Sequence, residues 1–394
     1  MQAHLVSEHR EFIYLDNHST TPCDPRVVTA MLPYFSERYG NPSSVLSHAG
    51  RAAATAVDGA RERVAKLVGA LPSEIVFTGS ASESNNLVIQ GTARRHIGPR
   101  TKIVTTPIEH KSVLRPIQEL ANQGFELTLL PVDHRGVVDQ DRASELIDLS
   151  TLLVSVQAAN NEIGTLQSIR AFSALAHSKG ALMHCDAAQA VGKMPIDVRD
   201  LSVDFLSVSA HKMYGPKGVG ALFVRQGIRN DGLSPIILGG GQELGFRAGT
   251  ENVPGIVGFG EACGICYLEM EEESSRVSQL RDLLEMQLNA HITDLSINGN
   301  QKGRLPGNSS LTFPGVDAEA LILNLPQLAL SMGSACNSGA LEPSYVLTAI
   351  GLSRELASST IRVGIGRFTT QAEIIEAARC IALAYRRLAE LSCA

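Results

Sequence analysis

ALMHCDAAQAVGKMPIDVRDLSVDFLSVSAHKMYGPKGVGALFV, residues 181–224, is the stretch that decides the fold. It holds three apolar runs, ALMHCDAA (181–188), DFLSVSAH (204–211) and GALFV (220–224). Each has the length of a strand and is bounded by polar residues or Gly/Pro punctuation. Near-continuous apolar strands belong in a sheet covered on both faces. Toward the N-terminus the same texture recurs in EIVFTG (74–79), KIVTTP (102–107), ELTLLPV (126–132) and TLLVSVQAA (151–159). Helical stretches alternate with them: RAAATAVDGARERVAKLVGA (51–70), SVLRPIQELANQG (112–124) and IRAFSALAHSKG (169–180). This alternation predicts an α/β fold with a mainly parallel seven-stranded sheet.

Beyond residue 260 the texture changes. CYLEMEEESSRVSQLRDLLEMQLNAHI (266–292) reads as a long amphipathic helix connecting two domains. Short strands follow at GNSSLTF (307–313) and STIRVGIG (359–366), then a terminal helix, TQAEIIEAARCIALAYRRLAEL (370–391). The expected division is a large domain over 20–262 and a smaller α+β domain made of 1–19 and 263–394.

Bulk properties narrow the function classes. The 394-residue chain has 44% hydrophobic and 19% charged residues, ordinary for a globular protein. Its net charge of -6 argues against direct nucleic-acid binding. No apolar run approaches the ~18 residues of a membrane span. MQAHLVSEHREF (1–12) lacks the apolar core of a secretory signal. Seven cysteines, an odd number, are scattered at 23, 185, 263, 266, 336, 380 and 393. That pattern fits a reducing, cytoplasmic compartment better than a disulfide framework. The lone C-x-x-C in FGEACGICYLEM (259–270) has no second pair and reads as a buried helical pair, not a metal site.

Ligands of open parallel sheets bind beyond the carboxyl ends of the strands. Asp186 ends one such run, with Gln189 three residues on, and Ser209, His211 and Lys212 end another. A lysine there is costly unless paired or used, and one use is a Schiff base with an aldehyde cofactor. Pyridoxal phosphate needs a lysine, an acid for its ring nitrogen and a phosphate cradle. EIVFTGSASESNNLVIQG (74–91) supplies strand, Gly/Ser turn and helix, aiming the amides of Ser80, Ala81 and Ser82 at an anion. His110, in IEHKSV (108–113), closes another strand with a flat ring able to stack on a pyridine. Near the C-terminal end, LSMGSACNSGALEPS (330–344) sets Cys336 in a loop-forming run, where a structural thiol has no apolar wall.

SAHKMYGPKGVGAL (209–222), HCDAAQAVGKMPIDV (184–198), IEHKSV, NNEIG (160–164), FRAGTEN (246–252), GSACNSG (333–339) and STIRVGIGRFTT (359–370) together resemble the cysteine desulfurases of the NifS/IscS-like type, in their longer-loop group. These are fold-type-I, class V aminotransferase-family enzymes, and the resemblance runs from YLDNHSTTP at 14 to RFTT at 370. It implies that Lys212 condenses with pyridoxal phosphate, Asp186 pairs with the ring nitrogen and Gln189 donates to the ring hydroxyl. His110 would stack over the ring and shuttle protons. Ala81, Ser82, Ser209 and His211 would hold the phosphate, joined by Thr250 from the other subunit of a homodimer. Asn161 and Arg362 would bind the substrate carboxylate. L-cysteine would be converted to L-alanine, its sulfur passing to Cys336 as a persulfide and onward to an acceptor such as an iron–sulfur scaffold.

Selenocysteine or cystine lyase chemistry and class V transamination are the nearest alternatives, and a non-catalytic sulfur-assembly scaffold is a more distant one. Transamination has no use for Cys336. The turn GSASES (79–84) departs from the family's usual Gly-Ala-Thr but keeps a hydroxyl at Ser82. The sequence closes on LAELSCA (388–394) without the longer acidic-aromatic tail that some members use for docking, which leaves the acceptor open.

Overall fold

The computed structural model describes residues 12–96, 98–228, 232–332 and 343–392. The strands among these residues are β1 (Ile13–Tyr14), β2 (Ile75–Thr78), β3 (Lys102–Thr105), β4 (Glu126–Leu129), β5 (Thr151–Ser155), β6 (Leu182–Asp186), β7 (Phe205–Ser209), β8 (Gly220–Val224), β9 (Ser296–Asn298), β10 (Asn308–Thr312), β11 (Leu328–Ala329) and β12 (Thr360–Gly364). The seven runs expected to be strands form one seven-stranded sheet in the order β2-β8-β7-β6-β5-β3-β4. Five of its strands, β3 to β7, pair in parallel. β8 runs against both its neighbours, β2 and β7. Residues 210–219, between β7 and β8, are too few for a crossover helix, so the chain turns straight back.

The strand pleat sends alternate side chains to opposite faces. Phe77, Val104 and Leu206 face one core, closed by helices His48–Val68, Ile169–Ser178 and the first half of Val253–Asn289. Val76, Ile103 and Phe205 face the other, under helices Ala81–Arg95 and Lys111–Asn122. Both faces are therefore buried along β2, β3 and β5 to β8, as their apolar runs require, while the edge strand β4 is partly exposed.

A separate core gathers Leu311, Ile361 and Val363 from the three-stranded sheet β12-β10-β9, Ile374 and Ile381 from the terminal helix Gln371–Ser392, and Leu280, Leu284 and Leu288 from the end of Val253–Asn289. The expected connector at 266–292 is thus the later part of a longer helix. Asn252 starts it, its side chain accepting from the Gly255 amide, with a proline in the first turn. Cys263 and Cys266 lie within this helix, both buried.

β1 pairs with β11, and the chain then runs from the small sheet to the large one. The Thr21 amide donates to the His211 carbonyl at 2.9 Å, and the Asp24 amide to the Tyr214 carbonyl at 2.9 Å. Tyr214 holds a left-handed φ of 65°, with its own amide on Thr21 Oγ1 at 2.8 Å. The turn that carries Lys212 is pinned from outside by residues 16–24.

Candidate active site

Asp186 and Ser207 are partners across β6 and β7, so these strands end side by side. The 3-10 turn Ala210–Lys212 then brings Lys212 to the same cavity as Asp186. The cavity has a volume of about 300 Å³. It is lined by the sequence-predicted residues Ala81, Ser82, His110, Asn161, Asp186, Gln189, Ser209, His211, Lys212 and Arg362. Thr250 is exposed and lies outside this cavity. Cys336 falls outside the described residues.

The lysine amine is held at the base of the cavity. Lys212 Nζ donates to the His18 carbonyl at 2.6 Å and the Ser19 carbonyl at 2.7 Å. Asp186 accepts the Ala188 amide at 3.0 Å and Asn85 Nδ2 at 2.7 Å. The other Asn85 hydrogen goes to Ser112 Oγ at 2.9 Å. Ser112 Oγ lies 2.7 Å from His110 Nδ1, and the Ser112 amide donates to the same nitrogen at 3.1 Å. A carboxylate only accepts, so Asn85 must turn its amino group this way. Nδ1 of His110 is consequently an acceptor, and the neutral ring carries its proton on Nε2. Burial, helped by Lys212 and Lys111, lowers the His110 pKa against the opposing pull of Asp186. Neutral His110 therefore presents an N–H donor, not a lone pair, to the cavity.

The anion cradle lies at the N-terminus of helix Ala81–Arg95. Ser80 caps it, accepting the Glu83 amide, and Glu83 folds back to accept the Gly79 amide at 2.8 Å. Arg247 Nε secures the same carboxylate at 3.0 Å. Helix geometry leaves the Ala81 and Ser82 amides without intrahelical partners, at the cavity wall. Gly220 allows this approach: a Cβ there would lie 2.8 Å from the Ser80 carbonyl carbon and 2.6 Å from the Val208 oxygen. Ser209 Oγ is buried and meets no partner among the described residues. His211 is pushed down to about 4 by burial and by Lys212, Lys217 and Lys193, so at neutral pH it contributes an uncharged ring. An orphaned hydroxyl, two helix-end amides and a cationic surround fit a phosphate group.

Arg362 reaches the cavity from β12. Its guanidinium donates to the Asn161 carbonyl at 2.9 Å, Asp16 at 2.8 Å, Ser19 Oγ at 2.6 Å and Ser331 Oγ at 3.2 Å. Of the paired asparagines, Asn160 is spent on the turn, accepting the Glu162 and Ile163 amides. The Asn161 side-chain oxygen is buried with no partner among the described residues. Both flanks of segment 333–342 touch this rim: Ser331 meets Arg362, Ser344 Oγ donates to Glu162, and Tyr345 donates to the Glu109 carbonyl at 2.7 Å. Asn85, Ser112, His18, Lys193, Glu162 and Tyr345 were not picked out from sequence. The NN and HKS pairings were the available signals for Asn85 and Ser112.

The class-V aminotransferase profile matches residues 13–376. A cysteine desulfurase IscS of Anaeromyxobacter sp. (strain Fw109-5) is 47% identical over 380 residues, covering 96% of this chain and 94% of its own length. A cysteine desulfurase IscS of Rickettsia bellii is 46% identical, covering 96% and 92%. Among solved structures, a NifS-like protein superposes with a TM-score of 0.89 at 37% identity, covering 96% of this chain and 100% of its own. A structure of SspA in complex with cysteine gives 0.81 at 38% identity, covering 91% and 100%.

Proposed function

This chain belongs to the class-V aminotransferase family and, within it, to the cysteine desulfurases, and from that premise we propose that it takes sulfur from L-cysteine, releases L-alanine and holds the sulfur as a persulfide on Cys336. It is a pyridoxal-phosphate enzyme. The observation that carries the reading is the convergence of Lys212, Asp186 and Arg362 on one cavity beside an anion cradle.

Bound pyridoxal phosphate supplies the electron sink that stabilises negative charge at the substrate α-carbon. Ala81, Ser82, Ser209 and His211 hold its phosphate, Asp186 its ring nitrogen and Gln189 its ring hydroxyl. Lys212 is the residue that would bond to it, and its amine would take the substrate α-proton. Arg362 and the Asn161 amide orient the substrate carboxylate, for which a planar guanidinium fork is well shaped. His110 stacks over the ring and offers its Nε2–H as a donor to the reacting groups. The Cys336 thiolate attacks the substrate sulfur, breaking the carbon–sulfur bond and leaving the electron pair on the carbon side.

Thr250 is exposed, between Arg247, which anchors Glu83, and Asn252, which caps the long helix. Such a position supports a homodimer in which Thr250 completes the partner's phosphate site. The persulfide passes to an acceptor protein, such as an iron–sulfur scaffold. A reducing cytoplasm suits an enzyme whose working group is a free thiol. No described helix is long and apolar enough to cross a membrane.

The test is to supply L-cysteine and a reductant to the purified protein, to Lys212→Ala and to Cys336→Ala, counting alanine and sulfide. Equal yields from the native protein, lost in both variants, support the reading. Pyruvate with sulfide, or amino transfer without sulfide, would move it to the lyase or aminotransferase class.

A further inference from the structure

Gln189 sits at the cavity edge with its amide fastened on three sides. Its Oε1 receives Lys193 Nζ at 3.0 Å and His18 Nδ1 at 3.2 Å. Its Nε2 donates to the His18 carbonyl at 2.9 Å. An ammonium has only donors and a carbonyl only lone pairs. Turning the amide over would therefore set donor against donor and acceptor against acceptor. One Nε2 hydrogen is left over, on a residue that lines the cavity.

Lys193 is an unusual residue to spend on this. Its side chain enters a small pocket behind the active site, shared with Asn17, His18, Tyr214, Glu273 and Ser274. Its own carbonyl accepts Ser274 Oγ at 2.6 Å. Lys212 and Arg362 face it from the cavity side, and Glu273 and Cys266 from the long helix. Burial first, then the two cations, bring its pKa down to about 7, with Glu273 opposing. A buried amine beside two other cations is unfavourable unless its hydrogen bonds are needed.

We propose that Lys193, seconded by His18, is a positioning residue that locks the Gln189 amide so that its remaining N–H is presented to the ring hydroxyl of bound pyridoxal phosphate. This rests on the role of Gln189 given under the proposed function. Lys193 touches neither cofactor nor substrate in this role; it acts through Gln189.

The experiment is a double-mutant cycle on cofactor retention. Full-length loaded protein, Gln189→Ala, Lys193→Met and the double variant are dialysed against graded pyridoxal phosphate, and bound cofactor is counted by its visible absorption. Lys193→Leu serves if Lys193→Met does not fold. Each single change is expected to raise the dissociation constant about tenfold, and the double variant to do no more than Gln189→Ala alone. Both singles should also move the pH midpoint of the cofactor's visible band in the same direction. A Lys193 variant within about twofold of native protein, while Gln189→Ala weakens binding, overturns the lock and leaves the Gln189 role standing. Losses that multiply in the double variant overturn it too, by making Lys193 merely structural. An unchanged Gln189→Ala removes the premise and the proposal together.

Discussion

At the scale of single residues, the site separates groups that bind from groups that hold the binders in place. Arg362→Lys keeps a charge but loses the planar fork, so KM for L-cysteine should rise about tenfold or more. Asn85→Ala touches no substrate group; it frees Asp186 and the Ser112–His110 pair. It should lower kcat about tenfold and leave KM within about twofold. Steady-state kinetics on the two variants reads the split, and the reverse pattern would contradict both assignments. Glu109 gives a pH signature of a different kind. Its carboxyl is fully buried, with one oxygen accepting the Gln157 amide at 3.0 Å and Thr106 Oγ1 at 2.8 Å. Burial pushes it up to about 8 from the ordinary 4.5. The native state thus holds this proton over a range where the unfolded chain releases it. Its contribution to stability is complete below the unfolded value and is lost as pH rises through 8. Glu109→Gln keeps the accepting oxygen and cannot ionise. Its Tm should match the native protein near pH 5 and exceed it by roughly 5 °C near pH 9, measured by calorimetry. These residues differ in how plainly the sequence announced them. Lys212 and Asp186 stood out because charged groups closing apolar strands are chemically out of place. Asn85, Ser112 and Lys193 are ordinary residues for a helix or a turn. Only the rotation of a helix against the sheet brings Asn85 and Ser112 to the site, and no short pattern records that rotation.

At the scale of elements, six of the seven strands were legible because each is a mostly apolar run, as burial on both faces demands; the edge strand β4 is partly exposed and alternates instead. The start of the long helix Val253–Asn289 was harder to read. Its first half is rich in glycine, a poor helix former, and is kept helical by packing. Gly260 shows why glycine is there: a Cβ would lie 2.6 Å from Ala60 Cα of helix His48–Val68. Gly264, one turn on, would meet nothing nearer than Arg63 Cδ at 3.7 Å. Opposite outcomes follow within one helix. Gly260→Val should destabilise by about 1–3 kcal/mol through forced separation of the two helices. Gly264→Ala should stabilise by about 0.5–1 kcal/mol. Urea midpoints decide it, and a stabilising Gly260→Val would contradict the close packing.

At the scale of the whole molecule, the cavity joins what the two cores carry. The large sheet brings Lys212 and Asp186, β12 brings Arg362, and residues 16–24 tie them with backbone carbonyls. In the proposed homodimer, a second chain would supply Thr250. If Lys212 and Thr250 act in one site across two subunits, Lys212→Ala and Thr250→Ala chains should rescue each other when mixed and reassociated. About a quarter of native activity is expected, since half of random dimers are mixed and each holds one complete site. No recovery, with mixed dimers verified by mass spectrometry, would put Thr250 outside the site. The account turns most of all on Cys336, which composition marked as a loop thiol and which lies outside the described residues. The most direct test is to mix the protein with one equivalent of L-cysteine, block thiols at once and map every cysteine by mass spectrometry. The account predicts one extra sulfur on the peptide that holds Cys336, in step with alanine formed. Alanine appearing with no added sulfur there, or with the sulfur on Cys23 instead, would contradict it.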